Sequence, residues 1–298
     1  MEEKGMQDKD FITKNALSPV HVYDYRLQEG GTLPLLQYPL LTDTGIVKHG
    51  FTTREGGVSG GVFQSLNLSF SRGDREDDVR ENYRRVAEVF GCGVEQIVCS
   101  DQTHTTNVLR VDHSYGGAGV TREKPYTDVD GLITNERGLL LATFYADCVP
   151  LYFVDPVHRA IGLSHSGWRG TVGRMGAVTL SSMQREFGTD PAEVCAAIGP
   201  SICRDCYEIS EDVASEFIQA FPDWCDEILE EKAGGKYQLD LWRCNERILL
   251  EAGIRQENLT VTNICTCCNE RLLFSHRASH GRRGNLGAFL MLCEETDA

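Results

Sequence analysis

The chain has 298 residues, with 29 Lys and Arg against 44 Asp and Glu, and a formal net charge of −15. Hydrophobic residues make up 41% and charged residues 24%, the balance of an ordinary globular protein with ample material for a core. The acidic excess argues against general nucleic-acid binding, because phosphate affinity needs spare Lys and Arg, and against docking on an anionic membrane.

Twelve cysteines are too few for a disulfide scaffold but many for a cytosolic enzyme. Met1 to Gly5 is charged and lacks an apolar core, so no secretory signal is read. The longest apolar stretch, Gly138 to Val154, contains Asp147 and Pro150 and is too short to span a bilayer. A cytoplasmic location with reduced thiols is therefore expected.

In chain order, residues 1–20 read as a flexible leader, followed by a single domain over 21–298 with no repeat and no linker. Helices are predicted over Asp77 to Phe90, where Val79, Tyr83, Val86 and Phe90 recur at helical spacing, and over Gly170 to Phe187, Ser210 to Ala220 and Leu239 to Ala252. Strand-like runs fall at Gln96 to Cys99, Asn107 to Val111, Leu139 to Phe144, Leu151 to Val154, Ala160 to Leu163 and Leu259 to Thr262. The three runs between Leu139 and Leu163 predict a local antiparallel sheet turning at Asp155-Pro156, which makes the fold class α+β.

Three segments place a metal-ligand residue type beside a turn. They are Ser100-Asp101-Gln102-Thr103-His104, Tyr145-Ala146-Asp147-Cys148-Val149-Pro150 and Leu163-Ser164-His165-Ser166-Gly167-Trp168-Arg169-Gly170. His104, Cys148 and His165 together make a His₂Cys set. Three protein ligands with an open fourth position hold a catalytic zinc, which lowers the pKa of a coordinated water towards ~7. Asp147 is the expected partner for a ring N–H. The same set suits copper, although a multicopper oxidase needs paired histidines, and this chain has no His-x-His. A metal-free alternative uses Cys148 and His165 as a thiolate nucleophile and its base. The bland alternative is two satisfied loop histidines and a buried cysteine.

Cys203-x-x-Cys206 and Cys265-x-Cys267-Cys268 are weighed as a structural zinc site, but the adjacent Cys267 and Cys268 are read as breaking the paired spacing. The nucleobase-deaminase signature, His-x-Glu with Pro-Cys-x-x-Cys, is absent. Arg271 to Arg283 carries four Arg and two His with no acid, and Gly281 within it and Gly284 and Gly287 just after it suit close approach to a small anion. Arg54, Arg169 and Arg277 are the guanidinium groups expected to meet a phosphate or carboxylate.

These motifs, with Phe51-Thr52-Thr53-Arg54-Glu55-Gly56-Gly57, Ser65-Leu66-Asn67-Leu68, Asp128-Val129-Asp130-Gly131, Ile198-Gly199-Pro200 and Phe274-Ser275-His276-Arg277, resemble the laccase-domain or YfiH-like family from about His49 onward. The resemblance implies a layered α/β/β/α sandwich like the catalytic domain of cytotoxic necrotising factor. It implies zinc, with copper as a second option, on His104, Cys148 and His165. It implies phosphorolysis of adenosine, inosine and methylthioadenosine to the base and ribose 1-phosphate, with adenosine deamination as a side activity. Cys148, His165 and Arg54 are then the expected catalytic residues, and Arg54, Asn67, Arg169 and Arg277 the substrate-binding ones. Bacterial relatives are also described as peptidoglycan editing factors, so a muropeptide precursor is the alternative substrate of an amide hydrolase using the same pocket. A non-catalytic metal-binding protein is a third alternative. One departure stands out: relatives often read Thr-Gly-Arg where this chain reads Arg283-Gly284-Asn285.

Overall fold

The computed structural model describes residues 5–17 and 19–293. Its strands are β1 (His21–Arg26), β2 (Thr32–Gln37), β3 (Val47–Thr52), β4 (Ile97–Cys99), β5 (Val108–Arg110), β6 (Gly131–Thr134), β7 (Leu140–Tyr145), β8 (Val149–Asp155), β9 (Ala160–Ser166), β10 (Cys195–Ile198), β11 (Glu208–Ser210), β12 (Leu229–Lys232), β13 (Lys236–Leu239), β14 (Leu259–Val261) and β15 (Leu286–Leu292). Its helices are α1 (Pro39–Thr42), α2 (Glu76–Phe90), α3 (Trp168–Val172), α4 (Met175–Phe187), α5 (Glu211–Ala220), α6 (Cys225–Ile228) and α7 (Leu241–Glu251).

Two six-stranded sheets carry the fold, ordered β1-β2-β3-β15-β7-β4 and β14-β10-β8-β9-β6-β5. Their inner faces meet through Leu36, Phe51, Leu141 and Leu290 of the first sheet and Leu132, Tyr152, Val154 and Leu163 of the second. Helix α2 covers the outer face of the first sheet, with Val79, Tyr83 and Val86 packed on Leu35, Leu140 and Phe289. Helices α4, α5 and α7 cover the second, with Leu180, Phe217 and Ile248 packed on Leu151, Phe153 and Ala196. Alternate residues of β8 thus serve opposite layers, the period-2 consequence of a strand buried on both sides. The result is the expected α/β/β/α sandwich.

Two expectations are corrected. The runs from Leu139 to Leu163 do not form one sheet: β8 and β9 pair antiparallel, whereas β7 belongs to the opposite sheet. The chain crosses between sheets at Ala146-Asp147-Cys148, where Asp147 has φ of 89°. Because β7 and β8 are buried on both faces, their sequences show no alternation to reveal the crossing. The helix expected from Gly170 to Phe187 is two helices, α3 and α4, because Arg174 adopts φ of 58° and ends the ladder. Of the described residues in the expected leader, Asp8 bonds His21 and Val22 of β1, and Ile12 and Lys14 bond the loop before β15. The Ile12 amide donates to Asn269 Oδ1 at 2.7 Å, and the Lys14 amide to the Asn263 carbonyl at 2.9 Å. Ser18 and residues 1–4 of that leader are outside the described residues.

Among the described residues, no helix is long and apolar enough to cross a membrane.

Candidate metal centre and anion pocket

His104, Cys148 and His165 come from three separate segments and converge: their ligand atoms all lie within 4.8 Å of one another. His165 closes β9 and is buried, Cys148 sits half-buried between the sheets, and His104 is exposed on the loop after β4. The two imidazoles meet edge-on, with centroids 5.1 Å apart. Gly167 leaves the room they need. A Cβ there would lie 2.8 Å from His104 Cδ2 and 3.2 Å from Cys148 Sγ.

Asp130, fully buried before β6, organises this set. Its Oδ1 meets His165 Nδ1 at 2.8 Å, which leaves the other ring nitrogen for the Cys148 side. The backbone amides of Thr103, His104 and Thr105 donate to the same carboxylate at 3.1, 3.2 and 2.9 Å, and the Thr105 hydroxyl adds a fourth bond at 3.0 Å. Successive amides can converge on one anion because His104 takes φ of 66°. Asp130 therefore orients one histidine by its ring and the other by its backbone. Asp147, expected in this role, does something else. Its carboxylate accepts from the Thr266 hydroxyl and the Arg277 amide, both at 2.7 Å, and its carbonyl accepts from the Ile202 amide at 3.0 Å. It pins the inter-sheet crossing.

Burial disfavours a Cys148 thiolate, but His165 and His104 outweigh it and bring the thiol down to about 6. Burial likewise disfavours a charged His165, and the Cys148 sulfur with Asp130 outweighs it, holding the ring up to about 9. One thiolate, two imidazoles and an oriented partner suit a borderline metal such as zinc, or copper, with the fourth position left open.

The three residues line a cavity of about 440 Å³ together with Arg72, Lys124 and Arg283. Lys124 is tied to Asp101, also on the lining. Arg283 is buried, its Nε has no hydrogen-bond partner, and burial together with nearby Arg72 pushes it down to about 10. Its terminal nitrogen meets the side chain of Asn285, so the departure from Thr-Gly-Arg leaves a guanidinium in the cavity from two positions upstream.

The other expected site residues are not brought into this lining. Arg54 donates to the carbonyls of Gln64 and Glu270, lies over the Phe274 ring at 4.6 Å and lines a neighbouring cleft. Asn67 is fully buried and brackets Ser69, Asp74 and the Asn285 amide. Arg169 stacks on Trp168 at 4.2 Å, and Arg277 donates to the carbonyls of Cys206 and Glu208. Sequence reasoning missed Arg72, Arg283 and the role of Asp130. For Arg283 the signal was the basic loop itself, which did not say which of its members points inward.

A YfiH-like sandwich with a His₂Cys cluster at the crossing between its sheets defines the class. Residues 48–293 match the family described as multi-copper polyphenol oxidoreductase laccase, and the chain belongs to that family. It is 36% identical over 246 residues to the purine nucleoside phosphorylase YlmD of Bacillus subtilis, covering 82% of this chain and 88% of that protein. It is 31% identical to adenosine deaminase RL5 from an unknown prokaryotic organism, over 76% of this chain and 87% of that one. The crystal structure of Bacillus licheniformis YfiH superposes with a TM-score of 0.82 at 34% identity, covering 87% of this chain and 96% of that one.

Proposed function

We propose that this protein is a zinc-dependent purine nucleoside phosphorylase, cleaving adenosine, inosine or methylthioadenosine with phosphate to the free base and ribose 1-phosphate. The observation that carries this reading is the joining, in one cavity, of a His₂Cys cluster with the guanidinium groups of Arg283 and Arg72. A volume of about 440 Å³ is within the range of small-ligand pockets. In a chain of net charge −15, two guanidinium groups on one cavity are a local site for a small dianion rather than part of a basic surface.

His104, Cys148 and His165 would hold the zinc, which supplies Lewis acidity at neutral pH when bound. Arg283 and Arg72 bind the phosphate and hold its charge against the reacting sugar carbon. Asp130 fixes His165 in one tautomer and orientation through Nδ1. Arg54, Asn67, Arg169 and Arg277, implied by the family resemblance as catalytic or substrate-binding, lie outside the cavity lining in this proposal, with Asn67 holding the Asn285 amide from behind. Adenosine deamination is proposed as a side activity of the same pocket.

The decisive assay is phosphate-dependent release of hypoxanthine from inosine, with metal analysis, for wild type and His165→Ala. Turnover by the wild type, lost together with metal in the variant, supports the reading. Full activity in metal-free protein, or no turnover of any purine nucleoside, overturns it.

A second reading has its own observation. The Cys148, His165 and Asp130 side chains stand in the order of a cysteine-hydrolase triad, with the last contact at 2.8 Å. In that reading Cys148 attacks an amide, and a serine-containing muropeptide precursor is the test substrate.

A further inference from the structure

Four cysteines outside the cavity form a second cluster. Strands β10 and β14 run parallel, and a bridge between Ser201 and Cys265 continues their pairing past both strand ends. Each segment then makes a Cys-x-x-Cys turn, Cys203 to Cys206 on one and Cys265 to Cys268 on the other. With Cys267 set aside, the spacing that sequence reading found broken is intact on both. The two turns face each other at one constant offset of 62 residues, Cys203 against Cys265 and Cys206 against Cys268.

The four sulfur atoms lie within 4.8 Å of one another, and those of Cys206 and Cys268 are 3.5 Å apart. A tetrahedral zinc with Zn–S bonds of about 2.3 Å sets neighbouring sulfurs about 3.8 Å apart. Backbone amides point at the sulfurs. Cys268 N donates to Cys265 Sγ at 3.4 Å and Cys203 N donates to the same sulfur at 3.2 Å, while the Cys206 amide closes its own turn on the Cys203 carbonyl at 3.1 Å. Amides bent back on the first sulfur of a Cys-x-x-Cys turn stabilise thiolate, the form that binds metal. A four-thiolate zinc site carries excess negative charge. The ammonium of Lys14 stands on the same side, bonding Asp205 at 3.0 Å, and its positive charge favours thiolate at Cys203.

We propose that Cys203, Cys206, Cys265 and Cys268 form a structural zinc site, separate from the His104–Cys148–His165 centre. Four thiolates close the coordination sphere, so this site is not catalytic. Its consequence for the cavity runs through two neighbours. Ile202 and Thr266 adjoin the clustered cysteines, and both hydrogen-bond Asp147, the residue before Cys148. The clamp thus holds the crossing that presents Cys148 from behind.

The test uses the full chain purified under reductant. Cys148→Ala removes a ligand of the first centre, and its remaining metal is measured after zinc loading. About one zinc per chain is expected to persist, with X-ray absorption showing four sulfurs near 2.3 Å. Cobalt(II) loaded into the same variant is expected to give the intense visible bands of a tetrahedral thiolate site. Adding Cys206→Ser and Cys268→Ser should abolish that signal. No bound metal in Cys148→Ala, a mixed nitrogen and sulfur shell, or an intact mass short of the hydrogens of disulfides would overturn the site. If the triple variant does not fold, the absorption spectrum of Cys148→Ala alone decides.

Discussion

Replacing Asp130 by Asn probes the candidate metal centre most directly. The carboxylate takes bonds from Thr103 N, Thr105 N and Thr105 Oγ1 on Oδ2, and from His165 Nδ1 and His104 N on Oδ1. An Asn must put its NH₂ on one of these sides. Oδ2 has three donors facing it, so the amide oxygen stays there and the NH₂ takes the Oδ1 position. His165 Nδ1 must then accept, which moves its proton to Nε2 and removes the lone pair that would bind metal. His104 N loses its acceptor, at about 1–3 kcal/mol. Loss of an outer partner of this kind typically weakens metal affinity about 10- to 100-fold, or about 1.4–2.8 kcal/mol. A zinc competition titration against a chelator of known affinity measures the first effect, and denaturant unfolding of the metal-free protein the second. Zinc affinity within about twofold of wild type would refute the orienting role of Asp130.

Metal-free protein at pH 7 should be alkylated rapidly at Cys148, because its thiol is drawn down to about 6, and zinc should protect it; peptide mapping reads both states. Gly167→Ala places a methyl against His104 and Cys148 and is expected to lose most metal at the first centre with little change in secondary structure, as seen by metal analysis and circular dichroism. Arg283→Gln should raise the phosphate KM by roughly tenfold or more, the scale of one charge-assisted hydrogen bond, while Arg169→Gln leaves it nearly unchanged. Equal effects in steady-state kinetics would remove Arg283 from the phosphate site. His49 is buried and pushed down to about 3, and its ring accepts from the Tyr38 amide at 2.8 Å. The unfolded chain therefore takes up a proton near pH 6.5 that the native state refuses. Stability from this group is present above that pH and is lost as pH falls, by about 1.4 kcal/mol per unit, until about pH 3. His49→Gln should flatten that slope in urea unfolding between pH 6 and 4, and an unchanged slope would count against it.

Much was legible in the linear chain because it is local. Helix α2 announces itself through Val79, Tyr83, Val86 and Phe90, and α7 ends where Gly253 follows. His104, Cys148 and His165 stood out as residue types beside turns, and the ordered motifs around them carried the family and its sandwich. Long-range placement was not legible. Strands β7 and β8 are apolar on both faces, so nothing periodic marks the step from one sheet to the other at Asp147. Asp147 is the acid beside Cys148 in the chain, Asp130 lies far from any of the three ligands in sequence, and only the pairing of β6 with β9 puts Asp130 under His165. Four arginines crowd the segment from Arg271 to Arg283, yet packing turns Arg277 towards the carbonyls of Cys206 and Glu208 and leaves Arg283 in the cavity. The cysteines at 203, 206, 265 and 268 become one cluster only because β10 and β14 run parallel in register. Residue chemistry and short-range periodicity are written into neighbouring positions, whereas which distant groups share a pocket depends on sheet order and burial that no local pattern records.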